Sequence, residues 1–445
     1  MGSRAPWAGL VAAACVALGL GACGGGALVA LAPVRVVSAV ERSEGTLRAC
    51  PSAVRRLGLI AVAATGGLDL LDLASCRRTT LHAGAATDVR FSPDGRWLGY
   101  SRLVNSTSTG SSVVSVRGGP ARSPLGTGIL AWSWARAGET LYGITGDGSL
   151  ISASPTGNRR VVGAGLGPLS PGTGFGLSPD GGRVAVDTSR CERPVGELET
   201  VDVKTGARSV VVREPDRFFT FAGWSPDGRW LLYWSATQCS ASLAADGWPL
   251  EAVPATGGKP VRVVRHMLLF SDFLSWCGTR LIAAAGPDRE TQLGSALVET
   301  QPPAWRDQTL ENAGKLSWVS PACAPSGRLL AAAAGQNTQD PGFGVEHRSI
   351  WLLRTRRGPA RRLTSPPARE LSDEAPRFSH DSRWILLVRA RVVPVGDSAI
   401  SRDTIELTRA SGAGTLIPII DFTSDDFSFY DHFDWPDEID WYQAR

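Results

Sequence analysis

Lysine is nearly missing from this chain. Lys204, Lys259 and Lys315 are the only three among 46 basic residues, so arginine carries the positive charge. Such a bias fits a GC-rich coding sequence and says little about function. Histidine is scarce as well: His82, His266, His347, His380 and His432 are scattered singly, too thin a supply for a histidine-built metal site. The chain has no His-Glu-x-x-His, no Gly-x-Ser-x-Gly elbow and no phosphate-binding glycine loop. Zinc-peptidase, α/β-hydrolase and P-loop chemistry therefore lose their usual signatures. Cys-x-x-Cys spacing is also absent, which removes support for zinc or dithiol redox roles. No catalytic residue, metal or cofactor is expected. The net charge is only +4, with the arginines reading as spread rather than massed. No nucleic-acid partner is expected.

What is present begins with an uncharged run over residues 5–34, preceded by the single Arg4. A short basic start, an apolar stretch and small residues at its end have the form of an export signal. The run breaks at Leu20-Gly-Ala-Cys23. That stretch resembles the lipobox of bacterial lipoproteins, which implies cleavage before Cys23 and lipidation of that residue. An uncleaved membrane helix is the alternative, since the run is long enough to span. Either way the rest is expected outside the cytoplasm, anchored to the membrane. The expected division is a signal peptide over 1–22, a tether over 23–48 and one domain over 49–445.

That domain is organised by a repeated turn. Ser92-Pro93-Asp94-Gly95, Ser178-Pro179-Asp180-Gly181 and Ser225-Pro226-Asp227-Gly228 each follow an aromatic or apolar residue and precede an apolar strand. Pro presets φ, Asp bonds its own backbone and Gly accepts positive φ, so each reads as the tight turn of a hairpin. Their role is structural, not acid catalysis. Weaker copies follow Trp134, Trp276, Cys323 and Phe378, and Trp435-Pro436-Asp437 offers an eighth. Successive markers lie roughly 43 to 57 residues apart, a period that strand-rich units give as propeller blades.

Over residues 50–440 the chain resembles the TolB-like, WD40-like β-propeller repeat family, whose signature is this aromatic-Ser-Pro-Asp-Gly turn. The resemblance implies an all-β propeller of four-stranded blades. In the fourth, strand a ends at Trp224, b covers Trp230 to Trp234, c lies near Pro249 to Val253 and d near Val261 to Val264. Residues 57–84 hold an unmatched b, c and d, whose missing a strand is expected at Phe429 to Trp435. N- and C-terminal strands would then close the ring and remove its open edge. That gives eight blades, or seven if the shortened Trp276 copy is not separate.

Alternating strands put the short a–b and c–d turns on one face. The longer polar inserts fall mostly between b and c, on the other: Val104–Ser111, Thr188–Gly196, Ala236–Asp246, Gly335–Arg348 and Arg391–Arg402. Uneven insertion marks the expected binding face. Beyond Cys15 and Cys23, six cysteines remain, an even number that fits disulfides in an exported chain. Cys50 and Cys76 share the short-turn face, as do Cys277 and Cys323; Cys191 and Cys239 share the other. Each sequential pair is thus possible, although 15 connectivities exist.

The last sharp feature is an acidic, aromatic-interleaved tail: Asp421, Asp425, Asp426, Asp431, Asp434, Asp437, Glu438 and Asp440. Pairing with the basic body, a solvated surface, a calcium site and binding of a basic partner are the readings open to it, although nothing matches a calcium loop. TolB-like proteins are periplasmic interaction modules, so the resemblance implies a module that binds a protein or cell-envelope ligand through the long-loop face. A propeller hydrolase or lyase acting on a carbohydrate or lactone is the other reading.

Overall fold

In this computed structural model the described residues are 44–444, apart from 105–106, 190–194, 238–246, 287–293, 313, 337–346, 355–358, 396–397, 413–414 and 425–432. Cys23 and the apolar run, the pair Cys191 and Cys239, and much of three b–c inserts lie outside them.

The repeated turn builds the fold for local reasons. In the first copy, the Ser92 hydroxyl donates to Asp94 Oδ1 at 2.6 Å and accepts from the Trp97 amide at 3.0 Å. Asp94 Oδ1 also accepts from the Arg96 amide at 3.1 Å, and Gly95 sits at φ +69. Burial is the largest single effect and opposes the Asp94 charge, but the bonds from Ser92 and from the Arg96 side chain and amide together outweigh it and hold its pKa at about 2. The same network recurs at Ser178–Asp180, Ser225–Asp227 and Ser379–Asp381. In the last of these Ser382 takes the glycine position at φ +61. Each turn satisfies its own polar groups, so the flanking apolar strands can bury without orphaned amides.

Strands meet in eight antiparallel sheets, eight blades in a ring. Blade four matches its sequence reading closely: Phe218–Trp224, Trp230–Ala236, Trp248–Pro254 and Val261–Met267, in that order across the sheet. Six sheets have four strands. In blade one the fourth strand is reduced to a bridge between Val113 and Arg122, where Pro120 and Pro124 lack the amides a ladder needs. The shortened Trp276 copy is a full blade, beginning with Leu274–Cys277.

Blade eight is composite. Leu59–Ala64, Gly67–Asp72 and Arg77–Ala83 supply b, c and d, and the C-terminal strand Ile439–Tyr442 pairs antiparallel beside Leu59–Ala64. Closure by the chain's two ends is as expected, but the strand is not Phe429 to Trp435. Trp435–Glu438 forms a helical turn, with Pro436 near its start. Pro presets φ for a first helical turn and has no amide to give a ladder. The true eighth marker is Tyr442, which pairs with Leu59 as Phe91 pairs with Leu98 and Trp224 with Leu231. A fifth strand, Glu44–Thr46, lies on the outer edge against Arg77–Thr79, within the stretch read as tether.

The core lies between neighbouring blades, and the marker residues join them. The Trp134 indole donates to the Arg90 carbonyl of blade one at 3.0 Å, and the Trp224 indole donates to the Gly176 carbonyl of blade three at 3.0 Å. Phe91 has no such donor and instead packs its ring 5.5 Å from that of Tyr442 in blade eight. Ile60, Ala61, Val62 and Ala63 are at most 2% exposed, as the second strand of a covered sheet should be. Each large apolar side chain so buried contributes about 1.5–3 kcal/mol.

A candidate site in the channel wall

The inner strands of blades one, six and seven carry the same irregularity. Asp88, Ser320 and Ala375 each lie three residues before the marker, at φ +53, +48 and +47. In each strand the pairing slips across this residue, between Thr87 and Arg90, Val319 and Ala322, and Glu374 and Arg377. These are β-bulges, which bend a strand and re-aim the side chains beside them.

Two of the re-aimed residues are arginines that flank blade eight. Arg90 Nη1 donates to the Pro436 carbonyl at 3.0 Å, and Arg377 Nη2 donates to the same oxygen at 2.9 Å. Arg377 Nη1 also reaches the Ile439 carbonyl at 2.5 Å, and Arg90 pairs with Asp437. The Asp440 carboxylate accepts the Phe91 amide at 2.7 Å. Burial opposes the charge on Arg90, but Asp437, Asp440 and Asp88 outweigh it and raise its pKa. Around Arg377 burial wins, helped by Arg90, and lowers the pKa despite Asp440 and Asp437. Both side chains stay partly open, 41% and 28% exposed, so protein surrounds them without sealing them from solvent.

Next to this clamp is a recess of about 310 Å³, lined by Asp272, Ser275, Ser320, Arg377 and Pro436 among others. The Ser320 hydroxyl donates to Asp272 Oδ2 at 2.6 Å. The recess offers a carboxylate, hydroxyls and a guanidinium to a small polar ligand. No histidine lines it, and among the described residues no three His, Cys, Asp or Glu side chains are placed to hold a metal.

Four of the eight acids of the tail have the following partners. Asp437 and Asp440 serve the clamp, Asp421 meets Arg48 at 2.5 Å, and Glu438 accepts from the Ser424 hydroxyl at 2.7 Å. Asp425, Asp426 and Asp431 lie outside the described residues. Disulfides join Cys50 to Cys76 and Cys277 to Cys323, with Cα atoms 5.8 and 5.3 Å apart. Both fit an oxidising compartment. His347 Nδ1 meets the Leu371 carbonyl at 3.0 Å, while the His82 ring lies 5.3 Å from that of Tyr100.

On the b–c face, two of the five inserts are strand extensions rather than loops. In blade seven Trp384–Val395 and Ser398–Arg409 run 12 residues each and stay paired from end to end. In blade one Trp97–Val104 and Thr107–Ser115 pair out to Val104 and Thr107. Composition had also concealed a basic run: Arg354-Thr-Arg-Arg-Gly-Pro-Ala-Arg-Arg362 holds five arginines in nine positions, so the positive charge is not evenly spread.

No family model matches the chain, and no curated protein is significantly similar to it. Solved structures do resemble it. A putative TolB from Agrobacterium tumefaciens is 17% identical, with 63% of this chain and 91% of that one covered and a TM-score of 0.35. An oligogalacturonate lyase from Vibrio parahaemolyticus is 12% identical, with 78% and 95% covered and a TM-score of 0.45. A prolyl endopeptidase is 10% identical, with 77% and 51% covered and a TM-score of 0.50. At such identities the likeness concerns the fold alone. The chain is an eight-bladed β-propeller closed by its own two ends, and its structural neighbours include TolB and other propeller proteins.

Proposed function

We propose that this chain is an extracytoplasmic, membrane-anchored propeller that binds a protein or cell-envelope ligand through its b–c face. The observation that carries this reading is the paired hairpin of blade seven, whose strands are 12 residues long where the b and c strands of other blades have five to nine. Paired strands hold a projecting surface at lower entropic cost than a loop of equal reach. The two disulfides and the export-type amino terminus support a location of that surface outside the cytoplasm. Replacing residues 392–401 by Asn-Gly keeps the inner pairing and removes the projection. Capture of an envelope partner by crosslinking should then be lost while the melting temperature is retained. Unchanged capture would refute the face assignment.

The channel recess favours a second reading, a hydrolase or lyase acting on a carbohydrate or lactone. Asp272 and Arg377 share one pocket with hydroxyls, a set that can orient a sugar acid. Turnover of polyuronides or lactones, lost in Asp272→Asn, would support it. No turnover by protein supplied with divalent metal would exclude it.

A further inference from the structure

Away from the channel, a cavity of about 1020 Å³ opens between blades six and seven. Its lining comes from the ends of strands next to a–b and c–d turns, so it belongs to the short-turn face. Leu329, Leu352, Leu353 and Ala410 give it an apolar wall. Four arginines stand around that wall: Arg354 and Arg361 from blade six, Arg383 and Arg409 from blade seven. All four are exposed, and no acidic residue lines the cavity. The closest acid in sequence, Asp381, feels the Arg383 charge, but its Oδ1 is bonded within its own turn to Ser379 and the Arg383 amide.

Two of the guanidinium groups are fixed in place. Arg409 lies over the Trp384 ring, 4.7 Å from its centroid. Arg361 donates to the Ser411 carbonyl of blade seven at 3.0 Å, bridging the mouth. Four like charges held around one recess repel one another, and an anion relieves that repulsion. We propose that this recess binds a soluble multivalent oxyanion, an oligomer bearing several phosphate or carboxylate groups on a body with apolar faces. Arginine forks match both groups in bidentate geometry. The volume lies at the top of the range for small-ligand sites, too large for a lone phosphate. The site is concave and narrowed by Arg361, a shape that suits a free oligomer better than a flat lipid surface. It is separate from the channel recess and from the b–c face.

The test is titration of the full chain with tripolyphosphate and with short polyglutamate, at low and high salt, beside cosedimentation with phosphatidylglycerol vesicles. Binding should weaken about tenfold or more in Arg354→Ser/Arg383→Ser, the loss of two charge-assisted contacts. It should change little in Arg55→Ser/Arg56→Ser, which removes equal charge from another exposed stretch. An independent measurement uses the unaltered chain. Tripolyphosphate should protect Arg354 and Arg383, but not Arg55 and Arg56, from phenylglyoxal. Equal weakening in both variants, equal protection at both places, or no binding of either soluble probe would overturn the proposal. Binding to vesicles alone would also overturn it and point to a lipid surface instead.

Discussion

Asp187 sits on the second strand of blade three and is 4% exposed. One oxygen, Oδ2, accepts two backbone amides: Gly174 of its own blade at 2.8 Å and Phe221 of blade four at 2.9 Å. Gly174 permits this approach, since a Cβ there would lie 2.4 Å from the same oxygen. Burial pushes the carboxyl from its usual 3.8 up to about 7, although both amides favour the charged form. A folded pKa above the unfolded one means stability that is complete below about pH 4 and lost as pH rises through about 7. The full shift corresponds to ~4 kcal/mol, of which about 3 kcal/mol is lost between pH 5 and pH 8.5. Asp187→Asn can present an amide oxygen to both donors without a charge. In urea unfolding with disulfides intact, the variant should therefore gain about 3 kcal/mol on the parent between those two pH values. Asp403, also raised to about 7 by burial, is present in both proteins and cancels. Asp187→Ala should instead lose stability at both pH values, because two amides are left without an acceptor. A gap between parent and Asp187→Asn that stays constant with pH would refute the reasoning.

Other outcomes follow from single contacts. Removing residues 439–445 deletes the closing strand and should abolish cooperative melting; a melt near that of the full chain would show that the ring does not need it. Gly95→Ala should cost about 2 kcal/mol or more beyond Gly228→Ala, as read from urea midpoints. Both glycines have positive φ, but a Cβ at Gly95 would lie 2.2 Å from the Tyr442 ring, while at Gly228 the nearest atom is 3.5 Å away. Glu374→Ala should cost about 3–5 kcal/mol, because it removes the carboxylate that pairs with Arg348 at 3.0 Å where both side chains are at most 5% exposed. Cys50→Ser/Cys76→Ser should lower stability by about 3 kcal/mol against the oxidised parent, a difference that should vanish when both proteins are reduced.

The blades were legible because their turns are local. Ser225, Asp227 and Gly228 satisfy one another within a few residues, so their chemistry is written in consecutive letters. The closing strand was legible in kind but not in place. Trp435-Pro436-Asp437 imitates a marker and turn, and only pairing against Leu59 identifies Tyr442 as the real one. The channel clamp was not legible at all. Arg90, Arg377 and Pro436 meet from three blades, and the bulges that aim the two arginines fall on Asp88 and Ala375, which share no side-chain chemistry. The arginine run at 354–362 was readable, but a charge summed over the whole chain hides a local excess.

The pairing of Leu59–Val62 with Ile439–Tyr442 also sets a schedule. Strands made early wait for a partner made after the other described strands. Until then the growing chain is a curved stack with a free hydrogen-bonding edge at each end, the kind of edge that recruits strands from other molecules. Neighbouring blades can form as they emerge, because their pairings are local. The ring itself is a contact of very high sequence separation, and such contacts form slowly. Completion of the ring thus waits until residues 439–442 have been made, and the interval before it is when this protein is most exposed to aggregation.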